Sequence, residues 1–184
     1  MACTWPRAAF AHAESGAAGG FASGFLHPLA GVDHVLAMLA VGMWGAQLGA
    51  PAIWLLPVAF PLVMSLGGVA GILGLPMLPI EPGIALSVIV LGACIALAQR
   101  PPLWLAGALV SAFAVFHGYA HGTELPAQAG AVAYSAGFVL ATGLIHVAGI
   151  AIGLVTRLPR GMAALRAAGA AIALAGVAIA WRLL

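Results

Sequence analysis

The amino-acid sequence predicts an all-α membrane protein, a polytopic bundle of about six transmembrane helices with both termini facing outward. Of its 184 residues, 64% are hydrophobic and only 5% are charged, whereas soluble globular domains carry about 25% charged residues. A transmembrane helix needs about 20 apolar residues, so the chain is long enough for about six crossings. We therefore expect a single six-helix transmembrane domain over residues 24–184, preceded by an N-terminal extracytoplasmic segment, residues 1–23.

Proline and polar residues divide the chain into apolar segments. Helices are expected near residues 24–48, 52–75, 83–98, 103–122, 127–155 and 162–184. The connections between these segments are short, so neighbouring helices should run antiparallel. The second segment contains Pro57 and Pro61, and a proline inside a helix removes a backbone hydrogen bond. A kinked or partly unwound helix is therefore expected around Phe60.

The arginines predict the orientation of the bundle, because the chain contains no lysine. Arg100 lies in the third connection, and Arg157, Arg160 and Arg166 lie in or just after the fifth, while Arg182 opposes the bias. The third and fifth connections fall on the same side of a six-helix chain, and the positive-inside rule makes that side cytoplasmic. The predicted location is the inner membrane of a bacterium.

Two clusters of ionisable residues interrupt the apolar segments, and the predicted topology places both at the outer surface. Their members are His27, Asp33 and His34 in the first segment and His117, His121 and Glu124 at the end of the fourth. Ionisable groups in membrane segments are rare and usually functional. Imidazole and carboxylate together suit nickel, cobalt, zinc or iron. The clusters therefore predict a shared site for a divalent metal ion, and a hydrogen-bonded core role is the alternative for each histidine.

Spacing within the clusters indicates how the side chains are used. Residues 117, 121 and 124 share one face of a helix, and residues 27 and 34 are two helical turns apart. Asp33 either binds the metal directly or orients an imidazole.

The N-terminal segment contains Ala9-Phe10-Ala11 before His12, which has the Ala-x-Ala form of a signal-peptidase site. The residues before it lack an apolar core, so the segment is the remnant of a signal peptide or a poorly chosen start. Cleavage there would give His12 a free amine beside its imidazole, a pair that binds metal well. The alternative is an extracellular tail in which His12 has no role.

Several function classes are excluded. The chain has no Gly-x-x-x-x-Gly-Lys-[Ser/Thr] loop, so it houses no ATPase domain. A net charge of +2 and scattered arginines do not suit nucleic-acid binding. The expected partners are a divalent metal ion and membrane lipid, no prosthetic group is expected, and the sequence allows an oligomer.

The two clusters carry a family resemblance. His27-Pro-x-x-Gly-x-Asp33-His34 and Phe116-His117-Gly-x-Ala-His121-Gly-x-Glu124 resemble the two signatures of the HupE/UreJ family of nickel/cobalt permeases. The better known nickel/cobalt transporters have one residue fewer between the first histidine and the aspartate, so their ligand geometry is not transferred. By resemblance, the metal-handling positions are His27, Asp33, His34, Phe60, Glu81, His121 and Glu124, and His117 also matches the motif.

The resemblance implies a secondary transporter that imports nickel, or alternatively cobalt or zinc, and is not an enzyme. An intramembrane metalloenzyme and a non-transporting metal sensor or accessory subunit are the alternatives. Glu81 lies between Pro79 and Pro82 in the second connection and is expected to attract cations at the mouth, or else to be an ordinary solvated carboxylate. His146, deep in the fifth segment, is either an inner ligand on the transport pathway or a histidine bonded to a neighbouring helix.

Overall fold

The structure is a computed structural model that describes residues 17–124 and 131–184. Within these ranges it is entirely helical, which confirms the all-α prediction. The elements are α1 (Ala17–Ala30), α2 (Val32–Leu48), α3 (Ala52–Ile72), α4 (Ile80–Ala96), α5 (Leu103–Thr123), α6 (Ala131–Gly153), a 3₁₀ turn (Leu154–Arg157) and α7 (Gly161–Trp181). His12 and the candidate cleavage site before it lie outside the described residues.

The described helices include four that are long and apolar enough to cross a membrane: α3, α5, α7, and α6 with the 3₁₀ turn that follows it. The bent pair α1 and α2 adds a fifth if it counts as one span, whereas α4 is apolar but has only 17 residues. Large apolar side chains such as Leu66, Trp104 and Leu174 lie on the outside of the bundle, where lipid would cover them. A membrane protein is thus supported, but the count of six crossings is not confirmed.

The first predicted helix, residues 24–48, is wrong as a single element. The chain breaks at Gly31, and the axes of α1 and α2 meet at an angle of 82°. Gly31 has extended backbone angles, and Pro28 lies in the last turn of α1, where it removes one helical hydrogen bond. A side chain at Gly31 would crowd Oδ1 of Asp33 and Nδ1 of His34. The backbone angles at the break are open to any residue, but a Cβ atom there would displace the contact between Asp33 and His34. His27 and His34 belong to two different helices.

The sequence predicts that α3 is kinked or partly unwound around Phe60. The structure keeps α3 helical from Ala52 to Ile72, through both Pro57 and Pro61. Partial unwinding is therefore not found, and a kink stays a prediction. Membrane helices tolerate internal proline because local adjustments and neighbouring helices compensate the freed backbone groups.

Helix α2 is the centre of the bundle. Its second half, residues 40–47, is buried on every side, because α3, α4, α6 and α7 all contact it. Around this centre α3 packs along α5, α4 packs along α7, and α1 packs along α6. The fully buried side chains of Trp44 and Phe60 fill the space between these pairs.

The contact between α3 and α5 depends on glycine. A side chain at Gly118 would collide with the backbone of Met64 and Gly68, and one at Gly122 would collide with Gly68. Small residues let helix backbones approach closely in a membrane, where packing replaces the hydrophobic effect as the driving force. This close approach fixes the end of α5 that carries His117 and His121.

The first prediction tests this contact. Gly118→Ala should lower the thermal unfolding temperature of the detergent-solubilised protein, because the added methyl group would push α3 away from α5 at a cost of about 1–3 kcal/mol. Gly107→Ala on the same helix is the matched control, since a methyl group there meets no atom within 4 Å. The control should melt at or slightly above the wild-type temperature, because alanine favours helix more than glycine does. Equal melting of the two variants would contradict the close approach.

Candidate metal site

Three side chains from two distant parts of the chain converge at the end of α5. Nε2 of His27 lies 2.9 Å from Nδ1 of His121 and 3.2 Å from Oε2 of Glu124. One ligand atom from each residue lies within 4.8 Å of the others. Ligand atoms around a tetrahedral metal ion are separated by about 3 Å. Two imidazoles and a carboxylate therefore stand close to the arrangement that a divalent transition metal requires, and we call this set the outer site.

Helix α1 brings His27 to this position. Helix α1, which ends just before Gly31, lies against the start of α6. At this contact Gly24 faces the backbone of Tyr134, which leaves no room for a side chain. The rings of Tyr134 and Phe138 then lie beside the outer site, with ring centroids 5.8 Å from His27 and 4.6 Å from His121, respectively. The outer site therefore has an aromatic wall on one side, and the exposed carboxylate of Glu124 on its open side.

Asp33 holds His34 instead of facing the outer site. Its Oδ1 accepts the backbone N–H of His34 at 2.8 Å and lies 2.9 Å from Nδ1 of the same residue. A carboxylate oxygen accepts hydrogen bonds, so Nδ1 of His34 carries the hydrogen and Nε2 keeps its lone pair. Of the two roles expected for Asp33, this geometry is that of a residue that orients an imidazole.

His34 joins the two sequence clusters. Its ring centroid lies 4.4 Å from that of His121 and 4.7 Å from that of His117. The structure thus brings together His27, His34, His117, His121 and Glu124, with Asp33 behind His34. Exposure decreases along this group: the side chain of His27 is 24% exposed, whereas His117 is completely buried.

Phe60 and His146 lie beyond this group. The ring centroid of Phe60 is 5.5 Å from that of His117 and 5.4 Å from that of His146, so the phenyl ring packs against both histidines. Nδ1 of His146 donates to the carbonyl oxygen of Thr142 at 2.8 Å. Both Phe60 and His146 are buried.

Glu81 is not part of the group. It lies exposed in the first turn of α4. It makes no hydrogen bond or ion pair with the other residues that the structure describes. Helix α4 starts at the same end of the bundle at which α5 finishes, since the Phe116 ring of α5 packs against Gly83. Glu81 therefore lies at the same end of the bundle as the outer site, without touching it.

Ser87, which the sequence did not single out, contacts His117. Its Oγ donates to the carbonyl oxygen of Ile84 at 2.6 Å and lies 2.8 Å from Nε2 of His117. Ser87 is fully buried in α4. In the sequence, Ser87 is a single hydroxyl residue in an otherwise apolar segment. The sequence does not show which residue this hydroxyl contacts.

Unpaired imidazole nitrogens are the feature of this region that favours a ligand. Within the described part of the chain, four buried ring nitrogens lack a hydrogen-bond partner: His34 Nε2, His117 Nδ1, His121 Nε2 and His146 Nε2. Buried polar atoms are satisfied in the great majority of cases. The carboxylate beside His34 and the carbonyl oxygen beside His146 place the ring hydrogen of each on Nδ1, so each Nε2 keeps a lone pair of the kind that a transition-metal ion binds.

The chain matches known proteins over most of its length. The family model described as HupE / UreJ protein matches residues 1–179. Protein HupE of Rhizobium leguminosarum bv. viciae is 44% identical over 170 residues, which cover 92% of this chain and 89% of that protein. No solved structure matches the chain. These matches confirm the resemblance that the two histidine motifs indicated.

The second prediction tests how Asp33 acts. Asp33→Ala should weaken Ni²⁺ binding to the purified protein by about 10–100-fold, because His34 loses the partner that fixes its ring. Asp33→Asn should weaken binding less, since the amide oxygen still accepts the Nδ1 hydrogen. Isothermal titration in detergent measures both affinities. If the two variants lose affinity equally, Asp33 acts through its charge or as a ligand, and the orienting role is wrong.

Proposed function

We propose that this chain, which belongs to the HupE/UreJ family, is a secondary transporter that imports a divalent transition-metal ion, nickel or alternatively cobalt. The observation that carries the proposal is the convergence of His27, His121 and Glu124, with ligand atoms within 4.8 Å of one another. Zinc is a competing ion at the same site. The family match supports a transport or accessory role over an enzymatic one.

The donor set argues for a transition metal. Mg²⁺ and Ca²⁺ prefer oxygen ligands, and Cu⁺ prefers sulfur, whereas imidazole with one carboxylate suits Ni²⁺, Co²⁺ and Zn²⁺. The single carboxylate of Glu124 is exposed and the two imidazoles lie behind it. An arriving cation therefore meets a negative charge first and then neutral nitrogen ligands.

The histidines that lie inside the outer site favour transport over sensing. A sensor needs one metal site, but here further buried ring nitrogens without a hydrogen-bond partner lie beyond the outer site, on His34, His117 and His146. His117 and His146 are buried almost completely, whereas His121 and His34 keep slight exposure, and α5 places His117 one helical turn, about 6 Å, from His121. Several weak ligand positions near one another are an arrangement through which an ion can both enter and leave.

The driving force is electrical in this proposal. A dication that crosses an inside-negative potential of 100 mV gains about 4.6 kcal/mol, twice the 2.3 kcal/mol of a single charge. That energy supports accumulation of roughly a thousandfold or more. The proposed setting is a bacterial inner membrane, with the outer site and both termini on the outer side, in agreement with the distribution of arginine.

A metalloenzyme and a sensor would differ from a permease in what they do with the metal ion. An intramembrane metalloenzyme would keep an open metal position for water and would act on a lipid or peptide substrate. A sensor or accessory subunit would bind metal without moving it. Uptake by liposomes that contain this chain alone separates both alternatives from a permease.

The third prediction concerns uptake of Ni²⁺ into such liposomes. Uptake should increase with an inside-negative potassium-diffusion potential, because the ion carries charge inward. It should decrease as the outer pH falls from about 7.5 to 5.5, because a protonated imidazole cannot bind metal. His121→Ala should reduce uptake at least tenfold, which corresponds to about 1.4 kcal/mol.

Two outcomes would contradict this proposal in different ways. Uptake that is independent of voltage would indicate electroneutral exchange of one metal ion for two protons. No uptake under any gradient, with metal binding intact, would favour the sensor or accessory function.

The fourth prediction concerns Glu81, which we propose attracts cations at the entrance. Glu81→Gln should reduce the uptake rate most strongly at low ionic strength, because the attraction between exposed charges is screened by salt. Its unfolding temperature should stay at the wild-type value, since Glu81 has no described hydrogen bond or ion pair to lose. A lower unfolding temperature with unchanged uptake would assign Glu81 a structural role.

A further inference from the structure

The contact between Ser87 and His117 determines which nitrogen of His117 can bind a metal. A hydroxyl group has one hydrogen, and that of Ser87 is directed to the carbonyl oxygen of Ile84, 2.6 Å away. The Oγ atom can then only accept a hydrogen bond from Nε2 of His117, at 2.8 Å. His117 is therefore held with its hydrogen on Nε2, which leaves a lone pair on Nδ1.

The other ring nitrogen of His117, Nδ1, makes no hydrogen bond to any described residue. Nδ1 is buried and has no hydrogen-bond partner, although the residue is 0% exposed. Leaving a buried polar atom unpaired is unfavourable. If Ser87 donated its hydrogen to Nε2, the ring hydrogen would lie on Nδ1. Because Ser87 donates to Ile84 instead, the ring hydrogen lies on Nε2 and the unpaired Nδ1 presents a lone pair to the interior.

His34 repeats this arrangement from the opposite helix. Its Nδ1 is bonded to Asp33, and its Nε2 is buried without a partner. The rings of His34 and His117 are nearly perpendicular, with centroids 4.7 Å apart. His121, which belongs to the outer site, lies beside His34, with ring centroids 4.4 Å apart.

We propose that His34 Nε2 and His117 Nδ1 form a second, buried metal station directly inside the outer site, and that Ser87 is the positioning residue that makes His117 a ligand there. The proposal rests on the proposed transport function. Its ligand is the same divalent transition metal, which reaches the station by transfer from His121. Two imidazoles bind more weakly than the three ligands of the outer site, as a station that passes an ion onward requires.

The competing explanation is that Ser87 and His117 merely satisfy each other inside the bundle. That explanation accounts for Nε2 of His117 but leaves Nδ1 unpaired. It also does not explain why His34 likewise has one bonded ring nitrogen, Nδ1, and one buried ring nitrogen without a partner, Nε2. The two explanations differ in what a metal ion does to His117, and this difference can be measured on the wild-type protein.

The decisive experiment is solid-state NMR of protein labelled with ¹⁵N-histidine in lipid bilayers. His117→Gln identifies the His117 signals by their loss, and its side-chain amide can still donate to Ser87. In metal-free wild type we expect a single neutral tautomer of His117, with the hydrogen on Nε2. Zn²⁺, a diamagnetic probe, should shift the signals of His117 Nδ1 and His34 Nε2. A hydrogen on Nδ1, or shifts confined to His27 and His121, would overturn the proposal.

Uptake kinetics of Ni²⁺ provide the second test. Ser87→Ala should lower the maximal rate about 10–100-fold, the usual effect of losing a residue that orients a ligand, while the concentration for half-maximal uptake stays near wild type. Ser87→Thr keeps the hydroxyl and should restore much of the rate. Glu124→Gln is the contrasting variant, because it changes the outer site and should raise the half-maximal concentration.

The outcomes separate this proposal from the proposed function. A wild-type protein that shows the Zn²⁺ shift at His117 but no uptake would retain the station and refute transport. Normal uptake with no response of His117 to Zn²⁺ would retain transport and refute the station. A Ser87→Ala protein that keeps the wild-type tautomer and the wild-type rate would refute the positioning role of Ser87.

Discussion

The arrangement of the metal-binding groups depends on the break in the backbone at Gly31. A straight helix from residue 24 to residue 48 would place His27 and His34 on one rod, about 10 Å apart along its axis. The 82° turn instead sends α1 across the start of α6, so that His27 reaches the end of α5 while His34 stays beside His117. Gly31 also leaves room for the contact between Asp33 and His34, so the residue at the turn serves the orientation of the next histidine as well.

The histidines of this bundle share a bonding pattern. His34, His117 and His146 are each bonded on one side, to Asp33, Ser87 and the carbonyl oxygen of Thr142, respectively. Each of these partners accepts a hydrogen, and each leaves the other ring nitrogen with a lone pair in the interior. Metal-binding histidines typically have such a partner on the distal nitrogen, because it fixes the tautomer and the ring orientation. A buried ring nitrogen without a partner is unfavourable unless a ligand or water meets it, which is consistent with the proposed metal.

The sequence predicted the features that depend on composition and on local spacing. The apolar segments indicated an all-helical membrane protein, and His117, His121 and Glu124 do share one end of α5. The break at Gly31 was missed because apolar periodicity is the same on both sides of it, although Pro28 and Gly31 were visible. Ser87 could not be found, since a single hydroxyl in an apolar helix becomes informative only when α4 and α5 are placed side by side. The tolerance of α3 for two prolines likewise depends on its neighbours.

Phe60 packs against two buried histidines. Its side chain is completely buried, and its ring lies within 5.5 Å of His117 and 5.4 Å of His146, so in the proposed transport function an ion that passes from one histidine to the other would move along this ring. Pro57 and Pro61 flank Phe60 and remove two backbone hydrogen bonds from α3 at this level. The helix is continuous in the structure, but it lacks these two hydrogen bonds on either side of the phenyl ring. The prolines therefore fit a helix that stays intact and is easier to bend beside Phe60, whereas the partial unwinding that the sequence also allowed is absent.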